Sequence, residues 1–179
     1  MVRIAPFRAL RYNLQRVGDL GRVLAPPYDV ISPEQQDQLY QASPHNVVRL
    51  IYGKQTPQDT EQSSRYTRAE QDYHQWRRNG VLVRDSTPAI YLCEHSFSWQ
   101  QQTFRRLGIL ALLHFEGSTV LRHENTFEGP KADRAKLLDA VRANLDPVFC
   151  IAPDPQRVLY RMLEQQTHQP PLASAQFQG

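Results

Sequence analysis

With 40% hydrophobic and 22% charged residues over 179 positions, the chain can pack one domain of ordinary size, and wholesale disorder is excluded. A net charge of +3, with arginines scattered as singles and as the pairs Arg77-Arg78 and Arg105-Arg106, argues against nucleic acid as a partner, because a nucleic-acid footprint is denser on one face. No apolar run approaches the roughly 20 residues of a membrane span, and Met1 to Phe7 lack the apolar core of a signal peptide. A soluble cytoplasmic protein without membrane contact is therefore expected, with Cys93 and Cys150 as reduced, buried thiols inside apolar strands.

In chain order, Arg22 to Ala25 reads as a short strand, followed by a loop held stiff and extended by Pro26 and Pro27. Ser32 has the place of an N-cap, with Pro33 at the first helical position and Gln35 completing a capping box; the helix runs to about Gln41. Val47 to Tyr52 is β-rich and bounded by Gly53, so a strand is expected. Thr56-Pro57 opens the longest helix, in which Tyr66, Ala69, Tyr73 and Trp76 recur on one face and Asn79-Gly80 is the stop. Ala89 to Phe97 and Thr103 to Phe115 read as a long hairpin around the polar residues 98–102. Its second strand, apolar on both faces from Leu107 to Leu113, is expected at the centre of a sheet. A helix from about Pro130 to Ala143, a buried strand from Pro147 to Ile151 and a helix from Pro155 to about Gln166 complete the reading. The class is α+β, a mixed sheet with about four helices, in one domain over residues 1–166 with a tail over 167–179.

The chemistry concentrates between His123 and Arg134. On a helical wheel, Leu137, Leu138 and Val141 define a buried side, Arg134 falls among them, Lys131 lies at the edge, and Asp133, Lys136 and Asp139 point away. Cations at a helix start are unfavourable by up to about 1 kcal/mol each unless an anion joins them, and the free N–H groups there would help to bind it. Glu124, Glu128 or Asp29 could be that anion, making Arg134 a structural tether. His123, Asn125 and Thr126 supply a proton-transfer group, an amide and a hydroxyl, a mixture that a tether does not need. Tyr28 and Asp29 on the stiff loop are supporting candidates, and Arg49 could reach the same anion. No metal site is expected: His123-Glu124-Asn125-Thr126-Phe127 places Phe where the H-E-x-x-H pattern needs its second His.

Several words of the chain occur together in one order: Ala25-Pro26-Pro27-Tyr28-Asp29-Val30-Ile31-Ser32, Asn46-Val47-Val48-Arg49-Leu50, Gly80-Val81-Leu82, Arg106-Leu107-Gly108, and His123-Glu124-Asn125-Thr126 with Lys131, Asp133, Arg134 and Leu137, then Asn144 through Phe149. They resemble the uncharacterised prokaryotic "domain of unknown function one thousand and fifteen" family over nearly the whole chain. The resemblance implies a domain about twice this long, whose second half carries an Asp-Gly-His-His-Arg-Tyr-Glu word similar to the phosphate-binding motif of the ParB and sulfiredoxin fold, with nucleotide-dependent kinases among its relatives. That word is not in this sequence, so the chain is expected to be an incomplete, N-terminal part of the family domain. Two readings follow. In a phosphotransferase half-site, Lys131 and Arg134 would hold phosphate oxygens of a phosphorylated ligand, ATP or ADP with a divalent ion, Thr126 would orient them, and His123 or Glu124 would be the base. The alternative is a non-catalytic binding module or an inactive truncated member, with self-association through an open sheet edge.

Overall fold

The computed structural model describes residues 2–116, 120–122 and 125–177. In chain order the elements are β1 (Arg3–Ala5), β2 (Leu10–Tyr12), α1 (Leu14–Val17), α2 (Pro33–Ala42), α3 (Val48–Ile51) and α4 (Arg65–Arg78). They continue with β3 (Leu82–Arg84), β4 (Tyr91–Trp99), β5 (Gln102–Leu110), β6 (Leu112–His114), α5 (Glu128–Val141) and α6 (Val158–Gln166). The fold is α+β. Among the described residues the strands form three antiparallel pairs, β1–β6, β2–β3 and β4–β5, in place of the mixed sheet expected from the sequence.

The chain divides into two compact units, one made of Met1–Ala9, Asp85–Arg122 and Pro147–Ala173, the other of Leu10–Arg84, His123–Asp146 and Ser174–Gly179. The second unit holds the buried core. Ala69, Tyr73 and Trp76 of α4, at the expected three- and four-residue steps, pack with Leu50, Val81, Leu137 and Val141. A smaller cluster joins Ile31, Leu39 and Val48.

Local chemistry explains the element borders. Ser32 Oγ accepts the Gln35 N–H at 3.1 Å and Pro33 opens α2, as the cap pattern predicts. Val47 to Tyr52 is not a strand. The buried Asn46 side chain accepts the Val48 N–H at 2.9 Å, starting the single turn α3, whose Val48, Leu50 and Ile51 are all buried; tertiary burial overrides β propensity here. Arg22 to Ala25 is likewise not a strand: Leu20–Arg22 is a 3-10 turn, and Val23 is fixed by accepting the Val47 N–H at 2.8 Å. The helix expected from Thr56-Pro57 begins nine residues later, at Arg65. Thr56 Oγ1 donates to Asp59 at 2.8 Å and Arg68 clamps both Asp59 oxygens at 2.8 and 3.0 Å, which holds this segment as a turn against α4. Its true cap is Ser64, in a reciprocal box with Thr67.

Helix α4 ends at Asn79, and Gly80 follows at φ +67° with no atom within 4 Å of where a Cβ would be. Only the backbone opposes a side chain there. Gly80→Ala is expected to cost about 1 kcal/mol, read as a lower urea midpoint with an unchanged m-value.

In the first unit β4 and β5 pair from Tyr91↔Leu110 to Trp99↔Gln102. Gln100 and Gln101, at φ 47° and 64°, make a two-residue turn that matches the strand twist, so the hairpin tip is shorter than the expected residues 98–102. The apolar run from Leu107 does not become a central strand. Its ladder with β4 stops at Leu110, and β6 pairs instead with β1. The strand expected at residues 147–151 is absent: Val148, Phe149 and Ile151 are 88%, 63% and 86% exposed and irregular. Cys150 is consequently an exposed thiol rather than a buried one, while Cys93 is half-buried in β4; both are free. Helix α6 starts where the Asp154 carboxylate accepts the N–H groups of Val158 and Tyr160 at 2.9 and 2.8 Å. Its Val158, Leu159 and Met162 are exposed. No described helix is long and apolar enough to cross a membrane.

Candidate functional site

Two helices meet at the chemically dense part of the second unit. Arg65 and Tyr66 stand in the first turn of α4, placed by the Ser64 cap. Asp133 and Arg134 stand in the second turn of α5. Asp133 comes one i,i+4 step before the buried Leu137, about 40° from it on the wheel, so it lies within the packed face. The expectation that Asp133 points away is wrong for that reason. The buried arc is centred on Leu137 and Val141, and Leu138 at its rim is 49% exposed.

Asp133 is the hub. One carboxylate oxygen accepts from the Tyr66 hydroxyl at 2.7 Å and from the Arg65 guanidinium. The other accepts Arg134 Nε at 3.0 Å together with its Nη2. Arg134 Nη1 also donates to Asp146 at 3.2 Å, and its guanidinium lies over the Tyr28 ring, 3.9 Å from the centroid. Arg65 in turn lies 5.1 Å from the Tyr66 ring and 5.8 Å from the Tyr52 ring. Delocalised guanidiniums suit such stacked positions far better than ammonium groups do.

Burial pushes the Asp133 carboxyl up, but the hydrogen bonds from Tyr66 and Arg134 and the two guanidinium charges outweigh it, and the group ends below the usual Asp range. Asp146 ends above it, because burial outweighs the attraction of Arg134 and nearby Asp29 adds repulsion. Two arginines facing two aspartates leave little net field for an anion, and a carboxylate held below its ordinary range is a weak base. The hollow lined by Tyr52, Gly53, Arg65, Tyr66, Arg134 and Leu137 measures about 10 Å³, the space of one water.

The other candidates are spread around this cluster. His123 and Glu124, expected as the proton-transfer pair, lie outside the described residues. Asn125 and Thr126 are exposed just before α5, and Lys131 pairs with Glu128 one turn back on the exposed side. Arg49 goes elsewhere: it stacks on Tyr40 at 4.2 Å and donates to the Tyr40 carbonyl at 3.2 Å, with its Nε buried and unpartnered. Tyr28 is drawn into the cluster as the ring beneath Arg134, and Asp29 stays exposed. Arg65, the Tyr66 hydroxyl, Tyr52 and Asp146 are participants that the pattern of the sequence did not single out. A signal existed for Asp146, which falls inside the Asn144–Phe149 word. Arg65 had none, since it looks like an ordinary helix-start residue. Among the described residues, no three His, Cys, Asp or Glu side chains gather as a metal site.

An α+β unit built around a part-buried Arg-Asp-Arg-Tyr hub, without an evident catalytic pair among its described residues, is the class that fold and site define. Residues 4–179 match the family described as "Protein of unknown function (DUF1015)", and the chain belongs to that family. No curated protein and no solved structure matches it.

Proposed function

We propose that this chain is a non-catalytic binding module in which the Asp133 hub fixes the start of α5 and that start receives a phosphate-class anion. The carrying observation is the beginning of α5, where the residue at the cap position supplies no side-chain cap among the described residues. Phe127 occupies the cap position and offers no side-chain hydrogen bond, so the N–H groups of Glu128 and Gly129 have no acceptor within the helix. Pro130 has no N–H, and the ladder begins with Lys131 N–H to Phe127 at 3.3 Å. The exposed Asn125, Thr126 and Lys131 flank those donors in sequence, a combination that favours an anion. Arg134 contributes by position: held in carboxylates, it orients the helix instead of gripping the ligand.

Thermal denaturation tests this. Inorganic phosphate and ADP, each at about 100 times Kd, are expected to stabilise the protein by about 2.7 kcal/mol. Lys131→Ala should melt like the wild type without ligand, because the side chain is exposed, yet lose most of the ligand shift. The absence of any shift with phosphate, ADP or ATP would remove the anion reading. Phosphate transfer from ATP to any acceptor would remove the non-catalytic one.

A further inference from the structure

A second feature of the same unit lies away from the hub. The C-terminal end of α4 and strand β3 border a groove of about 610 Å³ lined by Leu10, His74, Arg77, Arg78, Gly80 and β3 itself. Its apolar lining comes from Leu10, Leu82 and Val83. Its charged lining is of one sign: Arg77, Arg78 and Arg84, with no carboxylate. Arg77 lies 5.4 Å from the Tyr73 ring of its own helix, and none of the three arginines has an ion-pair partner among the described residues. Complementing the helix dipole accounts for basic residues in the last turn of α4. It does not account for Arg84 on the neighbouring strand, nor for apolar surface left open beside three guanidiniums.

The backbone of β3 narrows the choice of occupant. Asn13 N–H donates to the Val81 carbonyl at 2.8 Å, and the register then pairs Tyr12↔Leu82, Arg11↔Val83 and Leu10↔Arg84. Antiparallel ladders alternate. Val83 therefore exchanges its main-chain bonds with Arg11, while Leu82 and Arg84 turn their N–H and C=O groups to the opposite edge. No strand pairs with that edge among the described residues. An edge of this kind is a template for another strand.

We propose that this groove binds an extended acidic peptide segment, added as a strand along β3, with its carboxylates on Arg77, Arg78 and Arg84 and its alternate apolar side chains on the opposite face, beside Val83. The open main-chain groups favour a polypeptide over a nucleic acid, which could use the arginines but not the strand edge.

Fluorescence anisotropy with the full chain and a labelled peptide of about eight residues alternating Glu and Val tests the idea. Binding is expected to weaken between about 50 mM and about 300 mM salt and to fall about tenfold or more in the double variant Arg77→Ala/Arg84→Ala. Both side chains are exposed, so circular dichroism should confirm an intact fold. A peptide N-methylated at alternate residues along one edge should lose a comparable factor. Four outcomes overturn the proposal: no binding, equal binding of the Lys/Val counterpart, full binding of the N-methylated peptide, or tighter binding of a single-stranded oligonucleotide than of the peptide.

Discussion

Asp133→Ala is expected to lower stability by on the order of 3 kcal/mol, the largest loss among the charged positions of α5. The reason is the number of groups it would orphan. The Asp133 side chain is 16% exposed and neutralises Arg65 and Arg134, themselves only 21% and 23% exposed. Removing the carboxylate leaves two part-buried cations 68 residues and one residue away in sequence facing each other without their shared partner. Arg134→Ala should cost less, because Asp133 keeps Arg65 and Tyr66. Urea unfolding of the two variants at neutral pH checks the order; equal losses would mean that Arg134, not Asp133, is the centre.

The pH dependence has a definite sign. Asp133 has a folded pKa below its unfolded one, so its contribution is complete above the ordinary Asp value of about 4 and is lost as pH falls through the lower folded value. Asp146 is raised and acts oppositely: its charged form opposes folding, and that opposition is relieved as pH falls through its folded value. In Asp133→Asn the steep acid limb of the stability curve should therefore shrink, while in Asp146→Asn the opposing contribution disappears and the acid limb of Asp133 remains.

Much of the fold could be read from residue order where local chemistry decides it. Ser32 with Pro33, the Tyr66–Trp76 face and the Asn79-Gly80 stop all act within a turn of the chain, and each stands where the pattern puts it. The errors have a common origin in partners distant in sequence. Val47 to Tyr52 is β-rich by composition, yet it turns helical because Asn46 reaches Val48 while bonding the carbonyls of Arg22 and Leu24. Residues 147–151 look like a buried strand, but an apolar run becomes one only if another strand offers an edge. The site shows the same division. Arg134 within an apolar arc is visible on a wheel. That its partners are the neighbouring Asp133 and, through it, Arg65 and Tyr66 depends on how α5 packs against α4, which spacing along one helix does not reveal.

The second large effect concerns Asn46, and it tests whether the Tyr28 loop is held from below. Asn46 is fully buried. Its amide nitrogen donates to the Arg22 and Leu24 carbonyls at 2.9 and 2.7 Å, and its oxygen accepts the Val48 N–H at 2.9 Å. One side chain thus ties the segment leading to Pro26 and Pro27 to the start of α3. Asn46→Ala strands two acceptors and a donor, and about 3 kcal/mol of stability should go with them. Asn46→Asp keeps the size and the acceptor for Val48 but sets a carboxylate against two carbonyl oxygens. At neutral pH it should be worse than alanine, because a buried charge without a donor costs more than a missing group. Acidification should reverse the order, since the protonated acid can again donate to one carbonyl. That crossover, followed by urea midpoints at several pH values, distinguishes an oriented amide from mere filled volume: if the Asn46→Asp variant matched the wild type at neutral pH, the three hydrogen bonds would not be what holds the loop beneath Arg134.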